Sequence, residues 1–140
     1  MAILKFRTPG SMPTWQRWSF GLVFSVCFLS GLIYLMGNEG MPIALMIGHR
    51  ELMTTHGISS SLLVFLLGTI FVGHVKVGWI LKKNTTTGVG NLLVLSLLTI
   101  TGWGLYYGSE NLRDTTVLLH WTLGIGMTLL LSLHLLPHHK

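Results

Sequence analysis

Charge is scarce in this chain. Of its 140 residues 9% are Asp, Glu, Lys or Arg while 50% are hydrophobic, which excludes a soluble domain with a polar surface of ordinary size. Cysteine is almost absent. Cys27 stands alone, so no intrachain disulfide forms, and its place inside an apolar run makes it a small packing residue. Dense basic arms are missing too. The net charge of +5 comes from lysines and arginines scattered along the chain, which argues for anchoring at a membrane and against a nucleic-acid footprint. No A-x-A-like cleavage site follows the first apolar run, which is too long for a signal-peptide core, so an uncleaved first helix is expected.

What the chain has instead is long hydrophobic runs. They fall at about 18–36, 53–81, 89–107 and 115–136, each near the ~20 residues of a helical span. A lone strand cannot satisfy its backbone in hydrocarbon, so the runs predict helices. The expected fold is all-α, an integral membrane four-helix bundle forming a single membrane domain over residues 1–140, with no soluble catalytic domain. Charge then sets its orientation. With a cytoplasmic N-terminus, Lys5, Arg7, Arg17, Lys76, Lys82, Lys83 and Lys140 share the inner side, against Arg50 and Arg113 outside. The positive-inside rule therefore predicts cytoplasmic N- and C-termini, with the acids Glu39, Glu51, Glu110 and Asp114 outside. Trp15 and Trp18 flank Arg17 as interfacial anchors. The partly apolar stretch 37–53, GNEGMPIALMIGHRELM, is expected to lie along the outer interface as a short helix, with His49 a solvated histidine.

Histidine is where the hydrophobic pattern is broken. His120 and His134 lie in the last run, 14 positions apart (134 − 120), which is close to four helical turns and roughly 21 Å along one face. His56 and His74 bracket the second run, 18 positions apart (74 − 56), five whole turns and roughly 27 Å along one face. Ionisable side chains in hydrocarbon are costly, so four of them in two spans call for partners. The two spans run in the same direction, because one span separates them. His56 is then level with His120 near the outer face, and His74 with His134 near the inner face, the two spacings disagreeing by about one turn. His138 matches the longer spacing, but Pro137 intervenes and the tail HHK reads as solvated, so His134 is the inner ligand of choice.

Paired imidazoles facing across a bundle suit two planar cofactors. Zinc commonly takes four ligands placed close together, whereas haem brings four nitrogens of its own and needs two axial ligands. No C-x-x-C-H run provides covalent attachment, so the haem expected is b-type. The other two spans carry glycines: Gly21 and Gly90 at inner depth, Gly31 and Gly102 at outer depth, where they make room for a macrocycle or serve ordinary small-residue packing. Arg50, Arg113 and Lys76 are candidates to meet haem propionates.

The pieces GHVKVGWILKK around His74, LTITGWGLYY around Gly102 and LLHWTLGIGMTLLLSLH from His120 to His134 resemble the small four-helix membrane di-haem cytochromes b. The resemblance covers about residues 50–136, and the unequal histidine spacing departs from it. It implies two haem b groups, or one, held by His56 with His120 and by His74 with His134. It further implies transfer of electrons between the quinone pool and a partner, a dehydrogenase or a multihaem cytochrome c. The chain would then be the electron-transfer subunit of a quinone-linked oxidoreductase complex, multi-pass in a bacterial inner membrane, with no catalytic residue of its own. Glu51, Glu110, Tyr106 and Tyr107 cluster at the outer face, where they read as quinone contacts or as plain membrane anchors. Two readings from other classes compete. One is a structural membrane anchor with one haem or none, its histidines bonded to backbone or neighbouring polar groups, and the unequal spacing supports it. The other is a metal or proton transporter, which usually shows interrupted helices or intramembrane carboxylates; neither is read from the sequence.

Overall fold

The computed structural model describes residues 9–38 and 47–136. Lys5, Arg7, Glu39, Pro137, His138 and Lys140, which enter the arguments above, lie outside the described residues, as does the 39–46 part of the loop expected on the outer interface.

Among the described residues every regular element is a helix: α1 (Thr14–Asn38), α2 (His49–Ile70), a π-helical segment (Phe71–Lys76), α3 (Val77–Ile80), α4 (Thr85–Tyr107), a 3-10 turn (Glu110–Leu112) and α5 (Arg113–Leu135). Four stretches are long and apolar enough to cross a membrane, Thr14–Gly37, His49–Ile80, Thr85–Tyr107 and Glu110–Leu135. This is the architecture of a multi-pass membrane protein. Trp18, Leu22, Phe65, Trp103 and Leu129 are exposed, as contact with lipid requires.

α1, α2 and α4 each start about one turn earlier than their hydrophobic runs. Hydropathy marks the hydrocarbon, but backbone hydrogen bonding continues through the headgroups until something stops it. Pro13 does so for α1, its carbonyl accepting the Arg17 N–H at 3.0 Å. His49, Arg50 and Glu51 form the first turn of α2, so this end of the expected interfacial stretch belongs to the spanning helix. Glu51 and Asp114 fall in the first turns of α2 and α5, where the helix dipole favours acids.

Contacts divide the chain into two compact units, residues 1–81 and 82–140. In the first, α1 packs antiparallel to α2. Leu52, Ser59, Leu63, Leu66 and Ile70 are the buried residues of α2. With His56 they step alternately by four and three positions, the seam of a left-handed helix pair. The next step of three from Ile70 would reach Gly73. The π segment starts at Phe71, and its i→i+5 bonding takes one more residue per turn, which brings His74 to the seam instead. His56 and His74 thus both meet the first span's side of the unit, but the count of five whole α-helical turns does not carry through. The second span changes from α to π bonding at Phe71 but continues as one helical span from His49 to Ile80.

In the second unit α4 packs antiparallel to α5. Here the seam is regular. Met127, the buried residue of α5, lies midway between His120 and His134 at steps of seven; Leu95, the buried residue of α4, lies midway between Gly88 and Gly102 at the same steps. A strict seven-residue repeat keeps these positions facing the partner helix.

Candidate functional site

Each of the four histidines is half-buried, and each is held by the same ring nitrogen. His56 Nδ1 lies 2.8 Å from the backbone oxygen of Cys27 in α1, and His74 Nδ1 lies 2.6 Å from that of Gly10. A carbonyl only accepts, so both nitrogens carry hydrogen, and in the neutral ring Nε2 then carries the lone pair. In the second unit the partners are hydroxyls: Thr101 Oγ1 lies 2.8 Å from His120 Nδ1, and Thr87 Oγ1 lies 2.9 Å from His134 Nδ1. A hydroxyl can act either way. Its own hydrogen decides, and Thr101 Oγ1 donates to the carbonyls of Leu97 at 2.9 Å and Leu98 at 3.1 Å, while Thr87 Oγ1 donates to that of Asn84 at 3.3 Å. With that hydrogen on a helix carbonyl the threonine oxygen accepts from Nδ1, giving the tautomer that the carbonyls fix at His56 and His74; with it on Nδ1 the opposite tautomer results.

Glycines let the rings approach. A Cβ on Gly31 would stand 2.9 Å from His56 Cε1 and 3.0 Å from Nδ1, so this side chain must be absent for the imidazole to reach the α1 backbone. In the second unit Gly102 lies against His120 Cε1, 3.7 Å from a built Cβ, and Gly88 against His134 Cε1, at 3.5 Å. The glycines meet different neighbours. Gly31 admits an imidazole, Gly90 meets Leu130, Gly88 in place of Gly90 serves His134, and Gly21 faces nothing within 4 Å. Gly10 is required on a different ground. Its φ of +81° is left-handed, and the turn it forms before α1 delivers its carbonyl to His74.

The two units bond their histidines from different places. His120 and His134 are both bonded from one straight helix, so their separation equals that of Thr101 and Thr87, 14 positions (101 − 87). His74 is bonded from beyond the start of its partner helix. The sequence contained a signal for the second case of hydroxyl support: the dipeptide Thr-Gly occurs twice, at 87–88 and 101–102, with the spacing of the α5 histidines.

Asn91 was missed as well. It lies one turn along α4 from Thr87, and among the described residues its side-chain nitrogen and oxygen are buried with no hydrogen-bond partner. Leaving an amide unsatisfied in an apolar setting costs on the order of 1–3 kcal/mol. His49, by contrast, is exposed at the start of α2 and meets the edge of Tyr34, ring centroids 5.3 Å apart. Arg50, Lys76, Arg113, Glu51, Glu110, Tyr106 and Tyr107 are exposed near span ends. Among the described residues, no three His, Cys, Asp or Glu side chains gather as a group able to hold a metal ion. The donor set consists of single imidazoles, which suits a group that brings its own equatorial nitrogens and lacks only axial ligands. No family model matches the chain, and no solved structure matches it.

Proposed function

We propose that the chain is a b-type cytochrome subunit of the small four-helix membrane kind, relaying electrons across the bilayer between the quinone pool and a partner redox protein. One observation carries this reading: four of the five histidines in the described spans set Nδ1 within hydrogen-bond distance of an oxygen, the exposed His49 at the start of α2 being the exception. Metal-ligating histidines almost always do so, because the second nitrogen's bond fixes the tautomer and raises the basicity of Nε2. His56, His74, His120 and His134 would be the axial ligands of two haem groups. Bound haem supplies a one-electron ferric/ferrous couple, and imidazole on both axial sides leaves no position for oxygen. The chain's own residues orient the ligands and exclude water from them through the apolar faces of the spans. Asn91, one turn along α4 from the Thr87 that meets His134, would give its amide N–H to a propionate, and Arg50 and Arg113 are further candidates. The orientation proposed is the one the charges favour, termini in the cytoplasm of a bacterium and Lys76, Lys82 and Lys83 at the inner headgroups.

The structural-anchor reading also draws on the histidine bonds, since a packing histidine bonds backbone too. It gives no reason for Nδ1 to meet an oxygen in all four. The reduced-minus-oxidised absorbance spectrum of the purified chain, with pyridine-haemochrome stoichiometry, separates the two. Two b haems per chain are expected; none, from haem-replete cells, would leave the anchor. Asn91→Leu adds a second check. It should lower haem occupancy toward one per chain, whereas an idle amide replaced by leucine would leave occupancy unchanged and make the chain more resistant to heat.

A further inference from the structure

The four imidazoles are not held alike. Those on the second span bond backbone carbonyls, of Cys27 and Gly10, and no side-chain substitution removes such an acceptor. Those on α5 bond hydroxyls, of Thr101 and Thr87, and each hydroxyl sits beside a glycine that lies against the ring. If the histidines ligate iron as proposed above, two of the ligands are backbone-held and two are threonine-held.

We propose that Thr101 and Thr87 are positioning residues that fix the Nδ1–H tautomer of His120 and His134 and, through that bond, set the reduction potential of the iron each would ligate. The physical chain is short. With the Thr101 hydrogen on the Leu97 or Leu98 carbonyl, at 2.9 and 3.1 Å, its oxygen accepts from Nδ1 at 2.8 Å, and this is the arrangement the proposal assigns. An Nδ1–H that donates makes Nε2 more basic. A more basic ligand favours the ferric over the ferrous ion, which holds the potential down. The hydroxyl is also locked: it sits on a helix backbone that carries the adjacent glycine, so the ring, the acceptor and the gap for the ring move together.

Thr101→Val removes the acceptor and keeps the branched shape; Thr101→Ser keeps the acceptor. Potentiometric titration of the haem-loaded full chain should show one midpoint raised in Thr101→Val, the other unmoved, and the first restored in Thr101→Ser. Loss of a ligand's hydrogen-bond partner typically weakens a metal site 10–100-fold. A tenfold loss confined to the ferric state reads as about 59 mV upward for a one-electron couple. The second readout needs no haem. In the haem-free chain in detergent, 15N-histidine NMR should give His120 as the Nδ1–H tautomer, and Thr101→Val should lose that preference. Thr87→Val is the parallel test at His134 should Thr101→Val fail to fold.

The outcomes are distinguishable. A chain that binds no haem, yet loses the tautomer preference in Thr101→Val, sinks the cytochrome reading and supports the positioning role. A chain with two haems whose midpoints and tautomers are the same in wild type and Thr101→Val overturns the positioning role and leaves the cytochrome reading intact. A midpoint shift that Thr101→Ser does not restore also overturns it, because packing and not the hydroxyl would then be the cause.

Discussion

In His120→Ala one haem is expected to be lost and the other kept, so the haem-to-chain ratio falls from two to one. The substitution removes a ligand and leaves Thr101 without the N–H it accepts, at a place where Gly102 offers no side chain to fill the gap. The other α5 histidine is four turns away, roughly 21 Å along the helix axis. Sites that far apart without shared partners respond independently, so His134 and its Thr87 bond should be undisturbed. Pyridine haemochrome on the purified variant measures the ratio, and potentiometry shows which midpoint survives. His134→Ala is the mirror case and should delete the other midpoint. Retention of both haems in either variant would sink the ligand assignment; loss of both in each would mean that the two levels assemble as one unit.

The four spans were legible because hydrocarbon imposes a length and a composition that little else in a protein shares. The histidines were legible for the same reason, as the breaks in that composition. What holds the histidines was not, and the causes differ from residue to residue. Depth was inferred by counting along each span, and counting cannot choose a rotation: Gly88 and Gly90 are at nearly one depth but roughly 200° apart around the helix, and only Gly88 meets His134. The acceptors of His56 and His74 are backbone oxygens, which every residue has, so no residue type announces them. The π segment has no sequence signature of its own in FVGHVK; it becomes visible only as a missed step in the seam of α2. Thr87 and Thr101 are different. Their Thr-Gly pairs repeat at the spacing of the α5 histidines, and comparing spacings between neighbouring spans, not only between the two that carry histidine, would have found them.

Glycine substitutions test the site most severely, because they change nothing chemically reactive. Alanine in place of glycine ordinarily stabilises a helix interior by about 0.5–1 kcal/mol. At Gly21, where a Cβ meets nothing within 4 Å, that gain should appear as a small rise in thermal resistance with full haem content. At Gly102 the new methyl would be 3.7 Å from His120 Cε1, an ordinary contact, and haem content should change little. Gly31→Ala is the opposite extreme. Its methyl would occupy the space of the His56 ring, 2.9 Å from Cε1 and 3.0 Å from Nδ1. The ring cannot withdraw without breaking its 2.8 Å bond to the Cys27 carbonyl, which belongs to the same helix as the methyl. Losing that bond strands an N–H at a cost of roughly 1–3 kcal/mol, more than the helix gains. The imidazole is then displaced from the position in which it would ligate, and one haem should be lost, as in a direct substitution of His56. Measured across Gly21→Ala, Gly102→Ala and Gly31→Ala, haem content should follow the distance from the built methyl to the nearest imidazole. Full haem content in Gly31→Ala, with the His56 tautomer unchanged by 15N NMR, would show that the ring has another seat and that the Cys27 carbonyl does not hold it for ligation.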